Sequence, residues 1–203
     1  ASPYEDTGIS LECLLMMGIL LHDVGHPPLS HTLEDVLELD ANGLSHDANW
    51  FQRILTEDAE LADLWRRHDV PAMPGALQRF LGNAGTHKHF LATLVSSQLD
   101  MDRLDYLLRD SHFMGVKYGQ IESDRIIGCL EMNNAMGGRP VVTVLEDAVP
   151  AVEHYLFGRH QAYKMALHSL DKASEALLKM TVKRFLWARD NGVATGCRAD
   201  GLY

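Results

Sequence analysis

The chain has 203 residues, of which 46% are hydrophobic and 23% charged, with a formal charge of −10. That length fits one domain, or one large domain with a small appendage, around a sizeable apolar core. The acidic balance, with no Lys/Arg-rich block, disfavours duplex nucleic acid as the main partner, and no apolar stretch reaches the roughly 18–20 residues of a membrane span.

The N-terminus, Ala1-Ser2-Pro3-Tyr4-Glu5-Asp6, has no basic region and no signal-peptide shape. Cys13, Cys129 and Cys197 show no CxxC spacing and read as reduced thiols of a cytoplasmic protein. The chain starts close to a helix and ends at Gly201-Leu202-Tyr203 without a stop signal, as a fragment of a longer protein does.

The hydrophobic pattern is mostly helical. A strongly apolar helix runs from about Ser10 to His22 and is broken by Pro27-Pro28. A second is expected from about Leu29 to Leu39. A third carries Trp50, Phe51, Ile54 and Leu55, with Ser45 as its N-cap. Leu61, Leu64 and Trp65 mark a fourth, Pro71 and Pro74 a loop, and Leu77, Phe80 and Leu81 a short helix ending near Gly82. Helix is then expected from Lys88 to about His112, ended by Gly115, and again from Ile121 to Leu130. Gly137-Gly138 reads as a hairpin turn before the β-branched strand Pro140–Leu145. From Ala148 to about Arg189 the pattern is helical, as two helices meeting near His168. The expected fold is all-α, in a single domain, with one small β-hairpin near residues 129–146.

Two stretches carry chemistry. The first is Leu20-Leu21-His22-Asp23-Val24-Gly25-His26-Pro27-Pro28-Leu29-Ser30-His31-Thr32-Leu33-Glu34. An imidazole–carboxylate pair closes a buried apolar run there, and burying such a cluster is costly unless a partner compensates. A cation compensates imidazole and carboxylate together. The alternative is a core histidine paired with its own aspartate. His46-Asp47 and His68-Asp69 repeat the dipeptide. His68-Asp69 follows Arg66-Arg67 and precedes a proline loop, so it reads as solvated surface.

The second stretch is Ser97-Gln98-Leu99-Asp100-Met101-Asp102-Arg103-Leu104-Asp105-Tyr106-Leu107-Leu108-Arg109-Asp110. Leu99, Leu104, Leu107 and Leu108 form its core face. Asp102, Tyr106 and Arg109 share one polar face, and Arg103, Tyr106 and Asp110 an overlapping one. Read alone, this is equally a solvated charge stripe with local ion pairs.

Together the two stretches resemble the HD superfamily of metal-dependent phosphohydrolases, and within it the deoxynucleoside triphosphate triphosphohydrolases. The similarity runs from about residue 11 to about residue 180. The resemblance implies His22, Asp23 and Asp102 as metal ligands, His46 as a catalytic histidine, Glu34 as its acidic partner, and His31 and His26 near the metal in contact with phosphate. It implies Arg103, Tyr106 and Asp110 as substrate contacts, with Arg159 on phosphate and Tyr163 beside it. The family's first metal histidine lies upstream of the His-Asp pair, and no histidine precedes His22 here; the expectation is that the fragment begins too late to include it.

The implied reaction is hydrolysis of a dNTP to deoxynucleoside and triphosphate. The implied cofactor is Mn, Fe, Zn, Co or Ni, with Mg accompanying the nucleotide, and the implied assembly is a homo-oligomer. The competing readings are an HD-type nucleoside 5′-monophosphatase and a non-catalytic nucleotide-binding scaffold.

Overall fold

A computed structural model describes residues 7–34, 36–37, 46–82, 88–135, 138–166 and 169–193. Ser45, Gly137, His168 and Cys197 lie outside the described residues, as do Glu38, Leu39 and the side chain of His46. The described residues form nine α-helices and one two-stranded antiparallel hairpin, in line with the expected fold class. None of these helices is long and apolar enough to cross a membrane. Cys13 and Cys129 are free thiols.

The chain divides into two compact units. One comprises Ala1–Leu21 and Gly75–Ala166, the other His22–Pro74 and Leu167–Tyr203.

The first unit opens with α1 (Leu11–Leu21), whose Leu14 and Gly18 are buried. A Cβ on Gly18 would stand 3.2 Å from Val95 and 3.4 Å from Leu81, so α1 lies close against those neighbours. A 3-10 helix, Phe90–Leu94, precedes α6 (Met101–Met114). The continuous helix expected from Lys88 to His112 is therefore interrupted. Asp100 is the reason: its backbone is extended and its carboxylate accepts the Arg103 amide at 2.8 Å, which starts a new helix. Gly115, in the left-handed region, ends α6 as expected.

Then follow α7 (Ser123–Gly128), β1 (Leu130–Asn134), β2 (Pro140–Val144) and α8 (Val149–Ala166). The helix expected to reach Leu130 stops two residues earlier, because Leu130 pairs with Val144 and Asn134 with Pro140 in the hairpin. Leu104, Leu107, Ile121, Ile126, Ala151 and Tyr155 form a buried cluster that locks α6 and α7 to α8. Burial of each such side chain contributes roughly 1.5–3 kcal/mol. Gly158 permits the close approach: a Cβ there would stand 2.4 Å from the Tyr118 carbonyl oxygen.

The second unit holds α2 (His31–Glu34), α3 (His46–Glu57), α4 (Ala59–Arg67) and α9 (Ser169–Asp190). It buries Leu33, Val36, Phe51, Leu55, Trp65 and Met73. The helix expected from Leu29 starts two residues later, because Leu29 and Ser30 both take positive φ, at 64° and 47°. α5 (Met73–Leu81) begins at the end of this unit and continues into the other. Pro74, expected in a loop, is its second residue, where the missing N–H costs nothing. His68 caps α4 and is exposed with Asp69, as the sequence suggests.

Candidate metal centre and anion pocket

In the second unit, the loop after α1 folds its polar side chains onto one another. His22 Nε2 lies 3.2 Å from Asp23 Oδ1, and His26 Nε2 lies 3.2 Å from the same oxygen. His26 Nδ1 faces Glu34 Oε1 at 2.5 Å, while His31 Nδ1 faces Glu34 Oε2 at 2.9 Å. The His26 and His31 rings meet edge to face, 4.7 Å between centroids. The result is a continuous chain, His22–Asp23–His26–Glu34–His31, in which each carboxylate serves two imidazoles.

Backbone geometry builds this chain. The left-handed turn at Leu29 and Ser30 reverses the path, so Glu34 returns to His26 eight residues earlier. Gly25 is buried against α3. A Cβ there would stand 2.1 Å from the Asp47 carbonyl oxygen and 2.6 Å from the Phe51 nitrogen. Only glycine lets the loop pass.

The environments along the chain differ. His26 is largely buried, whereas the His31 side chain is 80% exposed. The hydrogen bond that His31 donates to Glu34 holds the His31 pKa above its ordinary value; burial opposes this, and the negative charges of Glu34, Asp23 and Asp47 add to it. Both Glu34 oxygens engage His26 and His31, a local pairing made possible by the turn at Leu29; the expected pairing of Glu34 with His46 falls on a side chain outside the described residues. His46 opens α3 in the same unit.

The donor chemistry fits a divalent cation. At metal–ligand bonds of about 2.1 Å, two donors on one ion stand about 3.0–3.4 Å apart for angles between 90° and tetrahedral. The 3.2 Å between His22 Nε2 and Asp23 Oδ1 falls in that range. His26, His31 and Glu34 form a second group of metal-capable donors, hydrogen-bonded to one another through Glu34. Asp102, the third ligand the sequence implies, is half-buried in the first turn of α6, in the first unit.

That unit contains a cavity of about 690 Å³ between α6 and α8, lined by Arg103, Tyr106, Asp110, Leu156, Arg159, His160, Ala162 and Tyr163. The expected substrate contacts Arg103, Tyr106, Asp110, Arg159 and Tyr163 thus line one cavity. His26 is not among them; it belongs to the imidazole chain. Arg109 turns away and pairs with Asp105, as a solvated stripe does.

Both guanidiniums of the cavity are anchored. Arg103 Nε donates to the Ser97 carbonyl at 2.8 Å and lies 3.3 Å from Asp100. Asp100 is 1% exposed; its Oδ2, which faces Arg103 Nε, also accepts the Ser97 amide at 2.6 Å, and its Oδ1 accepts the Arg103 amide at 2.8 Å. Burial works against the Arg103 charge, but Asp100 and Tyr106 outweigh it and hold the group above its usual range. Arg159 Nη1 donates to Gln98 Oε1 at 2.8 Å and to the Gln98 carbonyl at 3.2 Å. The Tyr155 hydroxyl donates to that same carbonyl at 2.6 Å. Burial raises the Tyr155 phenol, while Arg159 opposes the rise.

The sequence reading missed Gln98, Asp100, Tyr155, Leu156 and His160. An aspartate directly before a helical pattern is a capping signal and points to Asp100. Nothing local marks Gln98 or Tyr155, whose partners lie 61 and 57 residues away.

A His-Asp pair follows the apolar α1, and the motif Asp-Met-Asp-Arg-Leu-Asp-Tyr opens α6, on a mostly helical scaffold with one small hairpin. The chain is similar to proteins named for an HD domain and for metal-dependent phosphohydrolase activity. Over 133 residues the chain is 27% identical to the metal-dependent phosphohydrolase cns2 of Cordyceps militaris, covering 66% of this chain and 35% of that protein. Over 132 residues it is 27% identical to an Acanthamoeba polyphaga mimivirus protein named for an HD domain, covering 61% and 28%. Over 180 residues it is 30% identical to the uncharacterized protein YwfO of Bacillus subtilis, covering 88% of this chain; the chain spans 39% of YwfO's length. No family model matches the chain.

Proposed function

We propose that the chain carries the catalytic region of a metal-dependent phosphohydrolase acting on nucleotides, most specifically a dNTP triphosphohydrolase. The observation that carries this reading is the cavity between α6 and α8, where two anchored guanidiniums face two tyrosines and a carboxylate. Paired arginines suit a polyphosphate. Asp110 suits a sugar hydroxyl, and Tyr106 and Tyr163 suit the flat faces of a nucleoside. A monophosphate needs fewer cations, which favours the triphosphate.

In this proposal His22, Asp23 and Asp102 hold a divalent cation. A bound Mn, Fe, Zn, Co or Ni ion supplies Lewis-acid polarisation of the phosphoryl group and a more acidic water, and Mg can accompany the nucleotide's phosphates. Water adds to the α-phosphorus, the bond to the 5′-oxygen breaks, and that oxygen takes a proton. Glu34 orients His31 and favours its charged form, so His31 is suited to deliver the proton. His46 has the same role in the sequence-based reading, and a comparison of His31→Asn with His46→Asn decides between them.

The test incubates the full chain with each of the five metals and each dNTP, separating triphosphate from orthophosphate by ion chromatography. Triphosphate and deoxynucleoside in equal amounts, abolished in Asp23→Ala, support the reading. Full activity in Asp23→Ala overturns the site. Orthophosphate from nucleoside monophosphates alone replaces the substrate with that of a 5′-monophosphatase.

A further inference from the structure

The segment 97–100 has no assigned part in the chemistry, yet it holds both cations of the cavity. Ser97 and Asp100 fix Arg103, and Gln98 fixes Arg159. Gln98 does so twice, through its side-chain oxygen at 2.8 Å and its backbone carbonyl at 3.2 Å. That carbonyl is itself pinned to α8 by Tyr155, whose side chain is fully buried. Arg159 stands four residues after Tyr155, on the same face of α8. One residue of the segment therefore receives both groups that this face directs toward it.

An arginine at a cavity wall loses considerable rotamer freedom when it binds an anion, and pre-orienting it removes that cost from the binding step. The neutral amide oxygen of Gln98 does this without cancelling the Arg159 charge, whereas a carboxylate at the same place would cancel it.

We propose that Gln98 is a positioning residue for the anion pocket, setting substrate affinity through the orientation of Arg159. The inference rests on the proposed function, because it takes the α6–α8 cavity to be the triphosphate site. Gln98 touches no reacting atom in it. Gln98→Met keeps the length of the side chain and removes the acceptor. It raises the KM for dATP about tenfold and leaves kcat within about twofold, the pattern of lost uniform binding. Gln98→Glu keeps an oxygen at the same place and adds a negative charge, so Arg159 stays anchored but its pull on phosphate falls, and KM rises as well.

A double-mutant cycle separates positioning from a general structural role. Binding of dATP and of inorganic triphosphate is measured by calorimetry for the wild type, Gln98→Met, Arg159→Ala and the double variant, each checked for an unchanged far-UV spectrum. If Gln98 acts through Arg159, the double variant binds no more weakly than Arg159→Ala alone. Independent, multiplying losses overturn the inference, as does a Gln98→Met protein that binds with wild-type affinity. Tyr155→Phe supplies a second readout: it removes one of the two α8 groups that hold the Gln98 carbonyl and weakens inorganic triphosphate binding in the same direction, and wild-type affinity in this variant also counts against the inference. A wild-type protein that binds neither probe instead refutes the triphosphate pocket itself, a result distinct from either of these.

Discussion

Gly25→Ala should break the imidazole chain by forcing the loop off α3. The added methyl carbon would stand 2.1 Å from the Asp47 carbonyl oxygen and 2.6 Å from the Phe51 nitrogen. These two atoms are the i and i+4 partners of one turn of α3, so the methyl enters a helical hydrogen bond. A real contact is not made inside 3.0 Å, so the loop or the helix must yield by about 1 Å. Overpacking of this kind costs about 1–3 kcal/mol, and a weakened backbone bond adds about 1 kcal/mol. For a chain of this size each kcal/mol moves Tm by about 2–4 °C, so Gly25→Ala should lower it by roughly 4–16 °C. Differential scanning calorimetry reads the shift. Gly75→Ala is the matched comparison, since nothing lies within 4 Å of a Cβ there and the residue sits in α5. It should gain about 0.5–1 kcal/mol from helix propensity. A Gly25→Ala protein melting within 2 °C of wild type would refute the argument for close approach.

Two pH effects of opposite sign follow from named histidines. His89 caps the 3-10 helix with its Nδ1, stacks on Phe80, and is depressed below 6.5 by burial. Its contribution to stability is complete above 6.5 and is lost as pH falls through the depressed folded value, so His89→Asn should flatten the acid side of a Tm–pH profile; a profile that keeps its wild-type slope there would count against this. His31 is raised above 6.5 by Glu34. Activity that needs its proton should persist above pH 6.5 and fall as pH rises through the raised value, and Glu34→Gln should move that alkaline limb of kcat to lower pH. An unmoved limb would remove His31 as the donor.

Much of this site is legible in the sequence, because helical spacing is strict. Arg103, Tyr106 and Asp110 share a face by arithmetic alone, and the structure places all three on one cavity with Arg159 and Tyr163. The apolar helix before His22 was equally plain. What escaped the sequence depends on backbone conformations or partners far along the chain. Leu29 and Ser30 carry no side-chain signal for positive φ, yet that turn decides that Glu34 meets His26 and His31. Asp100 falls inside the continuous helix expected from Lys88, and its extended backbone is what makes it a cap. Gln98 became meaningful only when α8 returned Arg159 to it.

In the proposed function His22, Asp23 and Asp102 share one cation. Titration of the full chain with Mn²⁺, followed by electron paramagnetic resonance of the free ion, tests it without any turnover. Saturable uptake by the wild type, weakened at least tenfold in both Asp23→Ala and Asp102→Ala, is the predicted result. Undiminished uptake in Asp102→Ala would contradict it.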